Sequence, residues 1–162
     1  MEFDCTKDGK NIYFACREKA AKYNDLLNSR ERAAELLGIS TSTLANHELG
    51  VTKNVPPDTV VMMSDLYKTP ELRSHYCKHE CPIGRNLPLA TQVSGLQSIT
   101  VKILNSLDEE IVRTVKKQLL MIAEDGEITE DEQEEFDGIV KKLEILATEI
   151  SELRMLAEKF QK

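Results

Sequence analysis

Tryptophan is absent, and aromatic residues make up only 5% of the chain. A stacking platform for single-stranded nucleic acid needs aromatic faces, so the composition argues against that class. No apolar run approaches the roughly 20 residues that span a bilayer, and the opening MEFDCTKDGK lacks the apolar core of a signal peptide. A cytoplasmic protein with no membrane association is therefore expected. Cysteine numbers only 4, which in such a compartment points to thiols or metal ligands rather than a disulfide framework. Also missing are a nucleophile with an adjacent base, a phosphate-binding loop and paired catalytic carboxylates, so no enzyme is expected. No internal repeat or low-complexity tract occurs.

The 162 residues allow one sizeable domain or two small ones, and the charge distribution favours two. Residues 1–89 hold 12 Lys plus Arg against 12 Asp plus Glu, whereas residues 90–162 hold 9 against 16. The whole net charge of -7 thus lies in the second half. An acidic half is repelled by a phosphate backbone and suits assembly or another partner. The neutral first half has no basic footprint, so the local placement of Lys22, Arg30 and Lys53 matters more than the total.

Residues 29–50, SRERAAELLGISTSTLANHELG, read as two short helices joined by a tight turn. The first can start at Ser29, an N-cap type, or at Asn28 with Glu31 completing a capping box. Ala33, Ala34 and Leu37 share one face, and the alanines permit close approach of a second helix. Gly38 ends the first helix, Ser40 caps the next, Leu44 anchors it inward, and Gly50 lets the chain turn away. The outer face then carries Thr41, Ser42, Thr43, Ala45 and Asn46, short and mostly polar side chains that suit the base edges of a major groove.

The run LLGISTSTLANHELG resembles the core of the xenobiotic-response-element (XRE) family of helix-turn-helix regulators, relatives of the lambda repressor and Cro. A leucine-glycine turn precedes Ser-x-x-Thr-apolar and a Glu-x-Gly ending. The likeness extends back to a helix near 12–23 and forward to PPDTVVMMSDLYKTP, covering about the first half of the chain. Within the family the chain is most similar to regulators carried by mobile elements of Gram-positive anaerobes. The resemblance implies a lambda-repressor-like domain that binds double-stranded DNA and regulates transcription, as a repressor. It places Thr41, Ser42 and Asn46 at bases, with Asn46 able to make a two-point contact to adenine. Ser29, Arg30, Thr43, Thr52 and Lys53 would hold phosphates. Two features depart from the pattern. KYNDLLN lengthens the connection between the first two helices, extending helix 1 or adding a turn, and His47 stands where an apolar residue is usual. A half-buried ring packed beside Leu44 is the expectation there, with base contact or pH sensing the sharper alternative.

Further helices are expected at 58–67 and 70–79, with Pro57 and Pro70 at first-turn positions. CPIGRNLPLATQ, residues 81–92, breaks any helix with two prolines and a glycine and reads as a linker. After it, Leu96, Ile99, Ile103 and Leu107 form one apolar stripe, and Val112, Val115, Leu119 and Ile122 another. Ser106 and Glu109 have capping-box spacing between them. From about 130 to 160, Phe136, Ile139, Leu143, Leu146, Ile150, Leu153, Ala157 and Phe160 alternate in steps of three and four, a coiled-coil pattern. A helix that long needs a partner along its length, which the preceding helices supply in part and a second subunit for the remainder. The expected fold is all-α: a helix-turn-helix domain over 1–80, a linker over 81–92, and a helical bundle or coiled-coil domain over 93–162 that forms a homodimer.

HYCKHECPIG offers Cys77 and Cys81 as metal-ligand or redox candidates, since their spacing is compatible with zinc. On a helix they would share one face and His75 with His79 another, so the four would not converge. Cys5 and Cys16 are too far apart for a second knuckle, and Cys16 reads as a small core residue. Glu132, six residues after Gly126, matches an EF-hand loop, but Met121 and Ala123 occupy its first and third ligand places. Thr129 capping a new helix with Glu132 explains the same residues, and no cofactor is expected. Two other classes stay open: an adaptor or antitoxin binding a protein through these helices, and a metal- or thiol-responsive regulator using Cys77 and Cys81.

Overall fold

The computed structural model describes residues 11–124 and 126–160. These residues are all-helical: α1 (Ile12–Ala21), α2 (Arg30–Leu36), α3 (Thr41–Glu48), α4 (Pro57–Tyr67), α5 (Glu71–His79), α6 (Leu96–Ser106), α7 (Glu109–Ile122) and α8 (Gln133–Phe160), with short 3-10 turns at Asp25–Asn28 and Gly84–Asn86. Among them no helix is long and apolar enough to cross a membrane. Cys5 and Asp125 lie outside the described residues.

Helices α1–α5 enclose one core, in which Cys16, Leu27, Leu44, Met63 and Leu72 are completely buried. The long connection after α1 forms a 3-10 turn rather than more helix. Asn24 caps it, its side chain accepting from the Leu26 N–H, and Leu27 is thereby driven into the core. Tyr13 on α1 ties this body to the end of α5 by donating its hydroxyl to Glu80 at 2.6 Å. The α4 helix ends on Lys68 with φ 55°, a left-handed residue without glycine's freedom.

The segment 81–92 is held along its length. Lys78 Nζ donates to the Leu87 carbonyl at 2.9 Å, and the Ala90 N–H donates to Ser151 Oγ at 2.7 Å. Ala90 and Val93 are buried with Ile99 and Met155, so this stretch contributes to a core of its own. Glu152, buried on α8, accepts from the N–H and hydroxyl of Ser94 and from Lys102. Burial alone would raise its pKa, but these donors outweigh it and hold the carboxylate below its usual range.

The expected capping box at Ser106 and Glu109 is not formed. Asp108 caps α7 instead, accepting from the N–H groups of Glu110 and Ile111, because a carboxylate next to the helix start meets the orphan donors directly. At the next start, half of the expected box is present: Glu132 accepts from the N–H and hydroxyl of Thr129. Helix α8 then begins at Gln133, three residues later than expected.

The apolar stripe of α8 is covered unevenly. Val115, Leu119 and Ile122 of α7 pack on Phe136 and Ile139. Helix α6 takes a different face, with Ile99 and Ile103 against Met155 and Leu156. At ~100° per residue, Ile150 and Leu153 lie roughly 140–160° around α8 from Met155. Leu143, Ile150, Leu153, Ala157 and Phe160 are consequently exposed.

The end of α8 is clamped to α5 by the ion pairs Arg73–Glu158 and Lys159–Glu71, with Ser74 hydrogen-bonded to Met155 Sδ at 3.2 Å. On the same helix the His75 and His79 rings lie tilted against each other with centroids 4.3 Å apart, and among the described residues His75 Nδ1 is buried without a hydrogen-bond partner. Burial, then the neighbouring His79, pushes the His75 pKa down to about 4. An unfolded chain therefore binds a proton near pH 6.5 that the folded chain refuses. Stability from this residue is full above about pH 6.5 and is lost progressively as pH falls toward 4. Urea midpoints at pH 7 and pH 5 should fall apart for the native chain and lie closer together for His75→Gln; equal separation in both would remove His75 as the cause.

Candidate nucleic-acid interface

Helix α3 is placed by short-range signals. Gly38 adopts φ +64°, letting the chain reverse after α2, and Ser40 Oγ accepts from the Thr43 N–H at 3.0 Å to start the helix. Ser40 Oγ also lies 2.9 Å from Ser42 Oγ and 2.7 Å from Thr43 Oγ1, so Thr43 is engaged in the cap and half-buried. Leu44 anchors the inward face with His47 and Glu48 beside it. Thr41, Ser42 and Asn46 are exposed on the outward face, with Ala45 half-buried among them. The Asn46 carbonyl accepts from Val51 and Thr52, while its side-chain amide makes no hydrogen bond among the described residues. That leaves a donor and an acceptor facing outward together.

The inward face is locked by ionic contacts. Glu48, whose side chain is fully buried, accepts from Arg17 Nε on α1 at 2.5 Å and Arg17 Nη2 at 3.0 Å, and from Arg30 Nε on α2 at 2.8 Å. Arg17 Nη1 also donates to the Leu27 carbonyl at 2.8 Å. Three helices and the inserted turn thus meet at one carboxylate. The paired carboxylate raises the Arg17 pKa, against the lowering effect of its burial.

Several expected phosphate contacts have intramolecular partners. Ser29 caps α2, accepting from the Arg32 N–H and donating to Glu31. Arg30 is bound to Glu48 with its side chain about one-third exposed. Thr52 Oγ1 lies 3.0 Å from His47 Nδ1. Lys53 is exposed. The His47 ring is buried more deeply than a half-buried packing role would require, and burial lowers its pKa despite the opposing charge of Glu80.

Sequence reasoning missed the role of Glu48 and Arg17. A usable signal existed: Arg17 follows Cys16 on the buried side of α1, and a cation there demands a carboxylate.

Cys77 and Cys81 do not share a helical face, because α5 ends at His79 and the Glu80 and Cys81 N–H groups both turn back to the Tyr76 carbonyl. Both thiols are free and half-buried. Among the described residues no group of three or more His, Cys, Asp or Glu is placed to hold a metal ion. Comparison with protein-family models, curated proteins and solved structures finds no match to this chain.

Proposed function

We propose that this chain is a sequence-specific double-stranded DNA-binding regulator of transcription, a cytoplasmic dimeric repressor whose helix-turn-helix is formed by α2 and α3. The supporting observation is the two-sided character of α3. Its inward face is fixed by Leu44 and the Glu48 ion pairs, and its outward face offers the short polar side chains of Thr41, Ser42 and Asn46. A rigid helix with small polar groups outward is what major-groove reading requires. Asn46 reads a base, Thr41 and Ser42 lie beside it, and Lys53 contacts phosphate. Arg30, held by Glu48, serves mainly to position α3. This is the XRE-like reading to which the sequence motif points.

Selection of bound sites from a random duplex pool tests it. The native chain should enrich an inverted repeat with half-sites about one helical turn, roughly 34 Å, apart. Asn46→Ala should lose about 1–3 kcal/mol of discrimination at one position in each half-site. No enrichment at moderate salt would reject base reading. It would favour the adaptor or antitoxin reading, which draws on exposed Leu49 and Val51 beside α3 and on the lack of basic excess.

A further inference from the structure

The apolar stripe of α8 is divided at its middle. Its first part, Phe136 and Ile139, is roofed by α7. Its second part is open: Leu143 is 45% exposed, Ile150 46%, Leu153 37% and Phe160 75%, although α6 and α5 cover the opposite side of the same turns. These exposed residues, together with the half-buried Leu146, keep strict heptad spacing over residues 143–160. Leu143, Ile150 and Ala157 take the a positions, and Leu146, Leu153 and Phe160 take the d positions. A β-branched residue at a with leucines at the flanking d positions favours two parallel strands.

We infer that residues 143–160 of α8 form a parallel, in-register seam with a second copy of this chain. Flanking charges support the partner and the direction. Glu149 falls at g and Arg154 at the following e, the spacing at which parallel helices pair g of one copy with e of the other. Within one chain Arg154 is exposed and Glu149 half-buried, and among the described residues neither makes an ion pair. Two-fold symmetry then supplies two Glu149–Arg154 pairs across the seam. In an antiparallel pair these residues do not face each other, since g meets g and e meets e.

The direction bears on function. The clamp between α5 and the last turns of α8 fixes each α1–α5 body at the C-terminal end of the seam. A parallel pair therefore carries both bodies at one end, where both α3 helices can address a single duplex; an antiparallel pair would separate them to opposite ends. The inference rests on the dimeric reading proposed above, but its test contains no DNA. A seam without DNA selection would reject only the regulator reading, and DNA selection by a monomer would reject only the seam.

Sedimentation equilibrium of the full chain supplies the measurement, with helicity followed by circular dichroism. The native chain should be a dimer at micromolar concentration. Leu153→Glu, at an exposed position, should retain helicity in the α1–α5 body and weaken the dimer at least about a hundredfold. Arg154→Glu should weaken it about five- to tenfold, and Glu149→Arg combined with Arg154→Glu should restore it. A monomer at every concentration, or a dimer indifferent to Leu153→Glu, would overturn the seam. A dimer sensitive to Leu153→Glu that the double exchange fails to restore would overturn the parallel direction and indicate antiparallel pairing.

Discussion

Glu48→Ala should destabilise the α1–α5 body by about 3–5 kcal/mol, because it leaves the buried Arg17 guanidinium without its carboxylate. The cost comes less from the lost attraction than from a cation left in a space that excludes water. Arg17 Nη1 keeps the Leu27 carbonyl, which cannot neutralise the charge. Arg30→Ala should cost far less, since that side chain is about one-third exposed and water can replace it. Urea unfolding monitored by circular dichroism distinguishes the two: equal, small losses would show that the carboxylate is not the hub of these helices. A clean double-mutant cycle with Arg17→Met should recover much of the Glu48 loss, because removing both charges leaves neither unpaired.

Gly84→Ala should cost up to about 3 kcal/mol, at the upper end for overpacking. A Cβ at that position would collide with the Cys77 carbonyl oxygen, 2.7 Å from its carbon and 2.8 Å from the Cys77 Cα. These are backbone atoms of α5 and cannot rotate aside. The connection would have to lift from α5, disturbing the Lys78 to Leu87 hydrogen bond and the path toward Ala90. Faster hydrogen exchange at the Leu87 and Ala90 amides, with α1–α3 unchanged, is the expected signature; unchanged exchange would mean that the close approach is not maintained. Gly95→Ala, where a Cβ meets nothing within 4 Å, serves as the control.

The parts of the fold legible in the sequence are those fixed by neighbours in the chain. Ser29 and Ser40 cap where expected, and Gly38 turns where expected, because each acts over three or four residues. The outward residues of α3 follow from Leu44 by helical spacing alone. Less local features were not legible. Arg17 and Glu48 are 31 residues apart, and nothing in the periodicity of either helix joins them. A repeating apolar stripe defines a face without naming its cover, so α8 did not disclose that α7 roofs Phe136 and Ile139 while Leu143, Ile150, Leu153 and Phe160 stay exposed. Asp108 displaced Ser106 as a cap because two N-cap types stood two residues apart, and spacing could not rank them. The four-residue interval of Cys77 and Cys81 implies a shared face only on a continuous helix, and α5 ends at His79, as the expected bounds 70–79 have it.

The clamp between α5 and the end of α8 has a mechanical consequence. Over its 28 residues α8 is a rod of roughly 42 Å, gripped at Glu158 and Lys159 and carrying α7 near the far end. Leverage along it is one-sided: a tilt of about 5° at the grip sweeps the far end through roughly 4 Å, at ~1.5 Å of rod per residue. A displacement of one ångström applied at α7 returns to α1–α5 as a rotation of little more than one degree. The rod magnifies motion outward from the grip and damps motion travelling back.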